Sequence, residues 1–474
     1  MPKALKIFLL ISAGLGGVLL FAALAVWMFV DTDAFKPRVE TVLSDALGMN
    51  VTVEGKMGVT IIPQVTVRLA DVRVLNQGSE LAFVKEADIP IELLPLIRRE
   101  IRSGHIALNG ARVTITRDRD GRYNYQRPPG ANLAFIALRL PEVTFADLIV
   151  VYVDKQSASR LEAGACNGGL TDMRHPGGAP LLKQLSMQGQ FTCDAVRGKT
   201  KAIADLKFSV AATDGVYDFK PVTMRGFGGL GSGTINMDRS VEVPTYRISY
   251  ALSKFRIEEF FTARSTGKSV SGLMDFSTTL SMQGRSRLEM RQSASGKMSL
   301  SGNNLTLAGM DLDAQLVKFE SSQNLNLIDV SALLFAGPVG LAVAKGYDLS
   351  GLGAKTNAST QIRTVVSQWK VEKGVAHAND VALATTANRL ALRGGLDFVT
   401  DEYRDVTVAL LDANGCATAR QKIRGAFKDP KADTASILVP IGPLLKLLDK
   451  AKTVLSGSAA KCEIFYNGSV PAPK

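Results

Sequence analysis

From Ile7 to Val30 the chain runs 24 residues without a charge, and the hundreds of positions after it alternate between apolar and polar. A helix of that length covers about 36 Å at ~1.5 Å per residue, against a bilayer core of about 30 Å, so the segment predicts a tilted membrane-crossing helix. Lys3 and Lys6 precede the run, and Asp31 and Asp33 follow it. Positive residues favour the cytoplasmic side, so residues 1–6 read as a cytoplasmic tail, 7–30 as the span, and the rest as translocated. Ala23-Leu24-Ala25 looks like a signal-peptide cleavage site. A signal peptide's apolar region, however, is about 7–15 residues, and this one continues through Trp27 to Val30. A retained anchor is therefore expected over a cleaved one.

Four cysteines, Cys166, Cys193, Cys416 and Cys462, form two sequence-local pairs. An oxidising compartment favours disulfides, and 166–193 with 416–462 is the simplest of the three connectivities. Four buried free thiols remain the alternative. There is no C-x-x-C, and His105, His175 and His377 are scattered, which argues against a metal site. The net charge is +12, but lysine and arginine are dispersed, without a basic run or interleaved aromatics. Nucleic acid is thus a poor partner, and anionic lipid headgroups are a better one. At 474 residues and 46% hydrophobic, the chain has enough apolar residues for two or three domains.

After the span, Asp33 to Leu47 has helical spacing: Phe35, Val39, Val42, Leu43, Ala46 and Leu47 form one stripe, Asp33 suits an N-cap and Gly48 a stop. From Met49 the period becomes two. Val51 and Val53, then Val65, Val67 and Leu69, then Val72 and Val74 predict strands with one apolar face. Strands are also expected at Ile101–Leu108 and Ala111–Arg117, before a turn at Asp118-Arg119-Asp120-Gly121. Later alternating sets are Leu206, Phe208 and Val210; Tyr217 and Phe219; Tyr246 to Leu252; Met274, Phe276 and Leu280; Met298 and Leu300; Leu305 and Leu307; and Met310 and Leu312. Arg389–Arg393 (with Leu390 and Leu392), Gly395–Val399 and Val406–Leu411 (with Val406, Val408 and Leu410) complete the strands, with Cys462–Tyr466 as a last one. Helical spacing returns at Glu92–Glu100, Phe255–Ala263, Ile328–Phe335, Leu341–Ser350 and Leu444–Leu455. Pro128-Pro129-Gly130 reads as a loop within the strand series.

Chemistry-bearing motifs are scarce. Gly226-Phe227-Gly228-Gly229-Leu230-Gly231 has the letters of a dinucleotide fingerprint, but a strand rather than a helix is expected after it, so the phosphate site would be missing. Gly267-Lys268-Ser269 matches only the end of a P-loop. No catalytic constellation stands out, which points to a non-enzyme without a cofactor. The apolar face itself is the remaining candidate. Many strands and few helices leave it to be covered by another sheet, as in a β-sandwich, or by an apolar ligand in an open groove, and the residues alone leave both open. The groove reading nominates Leu206, Phe208, Val210, Met274, Phe276, Leu280, Met298, Leu300, Leu305, Leu307, Leu390, Leu392, Val406, Val408 and Leu410 as lining.

Phe35-Lys36-Pro37-Arg38-Val39-Glu40 through Gly48, Val51–Gly55, Leu69-Ala70-Asp71-Val72-Arg73, Leu93-Leu94-Pro95-Leu96, Ile106–Gly110 and Arg117–Tyr125 together resemble the start of the AsmA family of bacterial envelope proteins. Tyr125 stands where that family often has tryptophan. The region from Gly296 through Cys416–Val470 is also similar to AsmA-like C-terminal regions, while the middle carries no claim. The resemblance implies a mainly β protein: an N-terminal transmembrane helix followed by an elongated, curled antiparallel sheet, a taco-like groove with a few short helices. It also implies a relation to TamB and to bridge-like lipid transfer proteins. On this basis the chain divides into the tail, the anchor, an AsmA-like N-terminal region (31–130), a middle groove region (131–295) and an AsmA-like C-terminal region (296–474).

The expected role is a single-pass bacterial inner-membrane protein, with its bulk periplasmic, that conducts phospholipids between membranes or supports outer-membrane biogenesis. Membrane lipid is the expected ligand, and an envelope protein at the C-terminal end is an expected partner. A structural or assembly factor for outer-membrane proteins or envelope polymers, its sheet filled by its own side chains, is the alternative. About fifteen to twenty strands at ~4.8 Å spacing would extend roughly 70–95 Å.

Overall fold

The computed structural model describes residues 32–60, 65–90, 104–126, 138–177, 181–198, 202–262, 270–314, 316, 358–434, 436–437, 462 and 464–473. The expected span at 7–30, the helices at Glu92–Glu100, Ile328–Phe335, Leu341–Ser350 and Leu444–Leu455, the loop at Pro128-Pro129-Gly130 and the Gly267-Lys268-Ser269 tripeptide lie outside those residues. Among the described residues, no helix is long and apolar enough to cross a membrane. The chain forms two compact units, dividing between Gly215 and Val216.

The first unit opens with α1 (Thr32–Leu47), followed by β1 (Asn50–Val53), β2 (Met57–Thr60), β3 (Thr66–Asn76), β4 (Ser79–Pro90) and β5 (His105–Arg117). Then come β6 (Leu138–Asp154), β7 (Ser159–His175), a single turn α2 (Leu181–Gln184), β8 (Ser186–Arg197) and β9 (Ala202–Thr213). β1 and β2 lie end to end along β3, and each later strand pairs with the one before it. One pairing departs from the expected antiparallel sheet: β5 and β6 run parallel, His105 opposite Glu142 and Arg117 opposite Asp154. The physical reason is the connection. A hairpin turn can only reverse a chain, whereas residues 118–137 supply the long crossover that parallel neighbours need.

α1 protects the start of this sheet. Its Val39 and Leu43 pack on the buried cluster of Val51, Val53, Met57, Leu69, Val72 and Ala87. Its polar side chains bind the edge of β1: Glu40 Oε1 accepts from the Val53 amide at 2.7 Å, and Ser44 Oγ accepts from the Val51 amide at 2.9 Å. Edge amides that would otherwise recruit a foreign strand are satisfied within the chain. The helix begins at Thr32, one residue before the expected cap, and Gly48 ends it at φ 62°.

The second unit contains β10 (Val216–Gly226), β11 (Gly229–Asp238), β12 (Thr245–Arg256), α3 (Ile257–Thr262), β13 (Val270–Ser271), β14 (Leu273–Gln283), α4 (Arg287–Ser293) and β15 (Ser295–Ala308). It continues with β16 (Ser359–Glu372), β17 (Val375–Thr385), β18 (Arg389–Asp397), β19 (Glu402–Leu411), β20 (Ala417–Ala426), β21 (Asp429–Ala432) and β22 (Ser436–Ile437). All pairings from β10–β11 to β20–β22 are antiparallel. The glycine-rich stretch 226–231 forms the β10–β11 hairpin. Gly226 pairs with Gly229, and Phe227 and Gly228 turn between them at φ 52° and 74°, the positive values a two-residue hairpin turn requires.

Several strands expected as separate are continuous. Leu300 and Leu305 are both buried in β15, although five positions apart, because Asn304 adopts φ 54° and shifts the alternation by one residue. Asp71 does the same between Leu69 and Val72, Asp147 between Phe145 and Leu148, Lys254 between Leu252 and Phe255, and Asp405 between Tyr403 and Val406. At the last three the pairing register also slips, as a β-bulge requires. Arg389–Arg393 and the start of the Gly395–Val399 run likewise join into β18, with the slip at Gly394. Two expected strands are not strands. Met310 and Leu312 are buried where the chain leaves β15 and turns helical, and the described part of Cys462–Tyr466 forms no strand, only an isolated bridge of Ile464 to Cys416.

Candidate functional site

In the first unit, strand register builds an apolar surface from single residues. Phe145 on β6, Gly168 on β7, Phe191 on β8 and Phe208 on β9 lie in one cross-strand row. The Phe145 and Phe191 rings are 6.0 Å apart, and those of Phe191 and Phe208 are stacked at 5.3 Å. Gly168 is what lets the rings close over β7, since a Cβ there would collide with the Gln190 carbonyl and the Phe191 ring. Two further rows flank this one: Cys166, Cys193 and Leu206 on one side, and Leu170, Gly189 and Val210 on the other. The three phenylalanines and Leu206 are only half-buried, whereas Val210 and both cysteines are buried. The opposite face is polar at the start of the sheet, where Arg68 binds Asp88 at 2.7 Å and Arg73 binds Glu80 at 2.6 Å.

The cysteines close two disulfides, Cys166–Cys193 and Cys416–Cys462. The first joins directly opposed residues of β7 and β8 beside the aromatic row.

In the second unit, all twelve nominated residues sit in or against one apolar cluster. Phe276, Leu280 and Met298, on β14 and β15, are half-buried at its margin. Met274, Leu300, Leu305, Leu307, Leu390, Leu392, Val406, Val408 and Leu410 are buried inside it. They pack with Trp369, Leu312, Leu316 and Phe427, so from β15 to β20 the protein's own side chains fill this face. Leu206, Phe208 and Val210 belong to the first unit's surface instead.

The reverse face of β17–β19 is also covered. Ala382, Ala384, Ala391, Ala409 and Leu411 meet Tyr466 and Val470 of the segment 464–473. Tyr466 donates to Asp380 at 2.5 Å, and the Ser469 amide donates to the other Asp380 oxygen at 3.0 Å. Arg389 holds the Val470 carbonyl at 3.1 Å and that of Asp412 at 2.9 Å. Burial and the Asp380 carboxylate push the Tyr466 phenol well above its usual range, so it stays a hydrogen-bond donor. Small alanines let this strap lie close, and the Cys416–Cys462 bridge tethers its start.

Phe145 and Phe191 escaped sequence reading: Asp147 interrupts the alternation in β6, and Gly168 and Gly169 of β7 put no apolar side chain opposite Phe191 and Gln190. The available signal was the period-two set Met187, Gly189, Phe191 and Cys193.

Among the described residues, no group of three or more His, Cys, Asp or Glu side chains could hold a metal ion. What the fold defines is a class of protein built on broad β-sheet: in the second unit an apolar face is filled by the chain's own side chains, and in the first unit an apolar row is only half-buried. The sequence profile of the AsmA family matches residues 1–132 and 154–381, and the chain belongs to that family. The match takes in residues 154–295, which the motif resemblance left unclaimed, and it ends before 416–470. No curated protein matches the chain.

Proposed function

We propose that this is a bacterial inner-membrane protein, held by residues 7–30 with its bulk in the periplasm, whose half-covered apolar surface carries phospholipid acyl chains toward the outer membrane. The row of Phe145, Phe191 and Phe208 carries the reading. Monomeric proteins rarely leave large apolar side chains contiguous and half-exposed unless something covers them. Acyl chains lying along that row would leave the phosphate hydrated, which avoids the cost of taking it through an apolar medium. Phe276, Leu280 and Met298 offer a second such margin. The nominated residues from Leu300 to Leu410 are the support of that surface, since their own neighbours already fill the space. AsmA membership supports the envelope setting and a non-enzymatic role.

The sealed cluster of β15–β20 favours the second reading, an assembly factor that carries no lipid. Phospholipid retained per chain after detergent exchange separates the two when wild type is compared with Phe208→Asp. Both proteins keep the same anchor, so lipid held by the anchor cancels. Loss of bound lipid in a folded variant supports carriage; equal retention supports the assembly role.

A further inference from the structure

One end of the second unit presents aliphatic side chains that stand exposed among the described residues. Val241 and Val243, in the loop between β11 and β12, are 40% and 41% exposed, and Leu288 on α4 is 54% exposed. The two pieces are held together. Arg285 binds Glu242 at 2.7 Å, and the Gly284 amide donates to the Pro244 carbonyl at 3.0 Å. α4 is built with care for so short a helix: Ser286 Oγ accepts from the Glu289 amide at 3.2 Å, and Glu289 Oε2 accepts from the Arg285 amide at 2.8 Å. The Ser286 cap and the Glu289 bond to the preceding amide fix the helix start, yet none of the seven residues of α4 is buried. Short helices ordinarily persist because they bury a face. This one is fixed in place while its leucine points away from the fold.

The charge around these aliphatics has one sign in excess. Across Asp238–Arg247 and Gly284–Ser293 there are five arginines against three carboxylates; the Arg285 guanidinium binds Glu242, and Arg291 lies 3.5 Å from Asp401. A cleft of about 760 Å³ opens between the loop and the helix, with Tyr246, Arg247, Gln292 and Lys373 in its wall. Separate aliphatic tips on segments rich in arginine, rather than a flat continuous patch, match a bilayer interface better than a protein interface. We propose that loop 239–244 and α4 form a contact surface for an anionic lipid bilayer: Val241, Val243 and Leu288 enter the headgroup layer while the arginines meet lipid phosphates. The contact does not depend on whether the apolar sheet face carries lipid.

The full chain, reconstituted in phosphatidylcholine vesicles, is mixed with a second set of vesicles, either phosphatidylcholine alone or a mixture with phosphatidylglycerol, and tethering is measured by light scattering. Tethering is expected for the anionic set only, and to weaken with salt. Val241→Asp with Leu288→Asp is expected to reduce it about tenfold or more. Leu230→Asp serves as control: Leu230 is 66% exposed at the opposite end of β11 and should leave tethering unchanged. Circular dichroism confirms that each variant folds. Equal tethering to both vesicle sets, no tethering by wild type, full tethering by the double variant, or equal loss in the Leu230 control would each overturn the proposal. Lipid retention by the sheet face, measured on the same variants, reports separately on the proposed carriage.

Discussion

Asp71, Asp147, Lys254, Asn304 and Asp405 each spend one residue in the left-handed region and thereby change which side chains face inward. Asp and Asn tolerate that conformation because their short side chains find local partners, whereas a β-branched residue does not. Asp147→Val should therefore lower stability by about 1–2 kcal/mol, with Asp147→Asn near neutral, in denaturant titration. These residues also explain the limits of sequence reading. Met298 with Leu300 and Leu305 with Leu307 were legible as alternating pairs, but a phase break looks the same in a sequence whether the strand ends or bulges. Burial depth was less legible still, since period two gives the face and not what lies above it. Leu307 is fully buried while Phe208 is half-buried, although the two sets alternate equally well. Leu307→Glu should thus cost several kcal/mol and unfold the second unit, because the carboxylate has no partner there. Phe208→Asp should leave the fold intact. A thermal melt that shifted equally for both would contradict the distinction drawn between sealed and open surface.

At the scale of elements, α1 was legible from its stripe and its glycine stop, but its polar role at the β1 edge was not, because Glu40 and Ser44 read as solvent-facing positions. The parallel β5–β6 pair was hidden for a similar reason: strand direction depends on the connection, and alternation carries no sign of it. Cys462–Tyr466 reads as a strand in sequence because Ile464 to Tyr466 is apolar and aromatic, but its described residues belong to the strap at 464–473. In the structure it crosses the reverse face of β17–β19, held by Arg389, Asp380 and the Cys416–Cys462 bridge. That bridge spans 46 residues, for which the chain-entropy model gives about 4 kcal/mol. Replacing both cysteines by serine should lower stability by an amount of that order and speed amide exchange at Val470 and in β18. Unchanged exchange would mean that the side-chain contacts alone hold the strap.

An N-terminal apolar run precedes a predominantly antiparallel β-sheet fold in each unit, and in the first unit an apolar face is left half-buried where Phe145, Phe191 and Phe208 align. β content was readable from the period-two spacing; the aromatic row was not, since it is assembled by register across β6, β8 and β9. Site-specific photocrosslinking in growing cells tests the central claim most directly. A photoreactive residue at Phe191 or Phe208 should yield adducts with the mass of phospholipid, and one at the neighbouring exposed Lys207 should yield few or none. Equal lipid adducts from both faces, or protein adducts alone at the phenylalanine positions, would contradict lipid carriage by this surface.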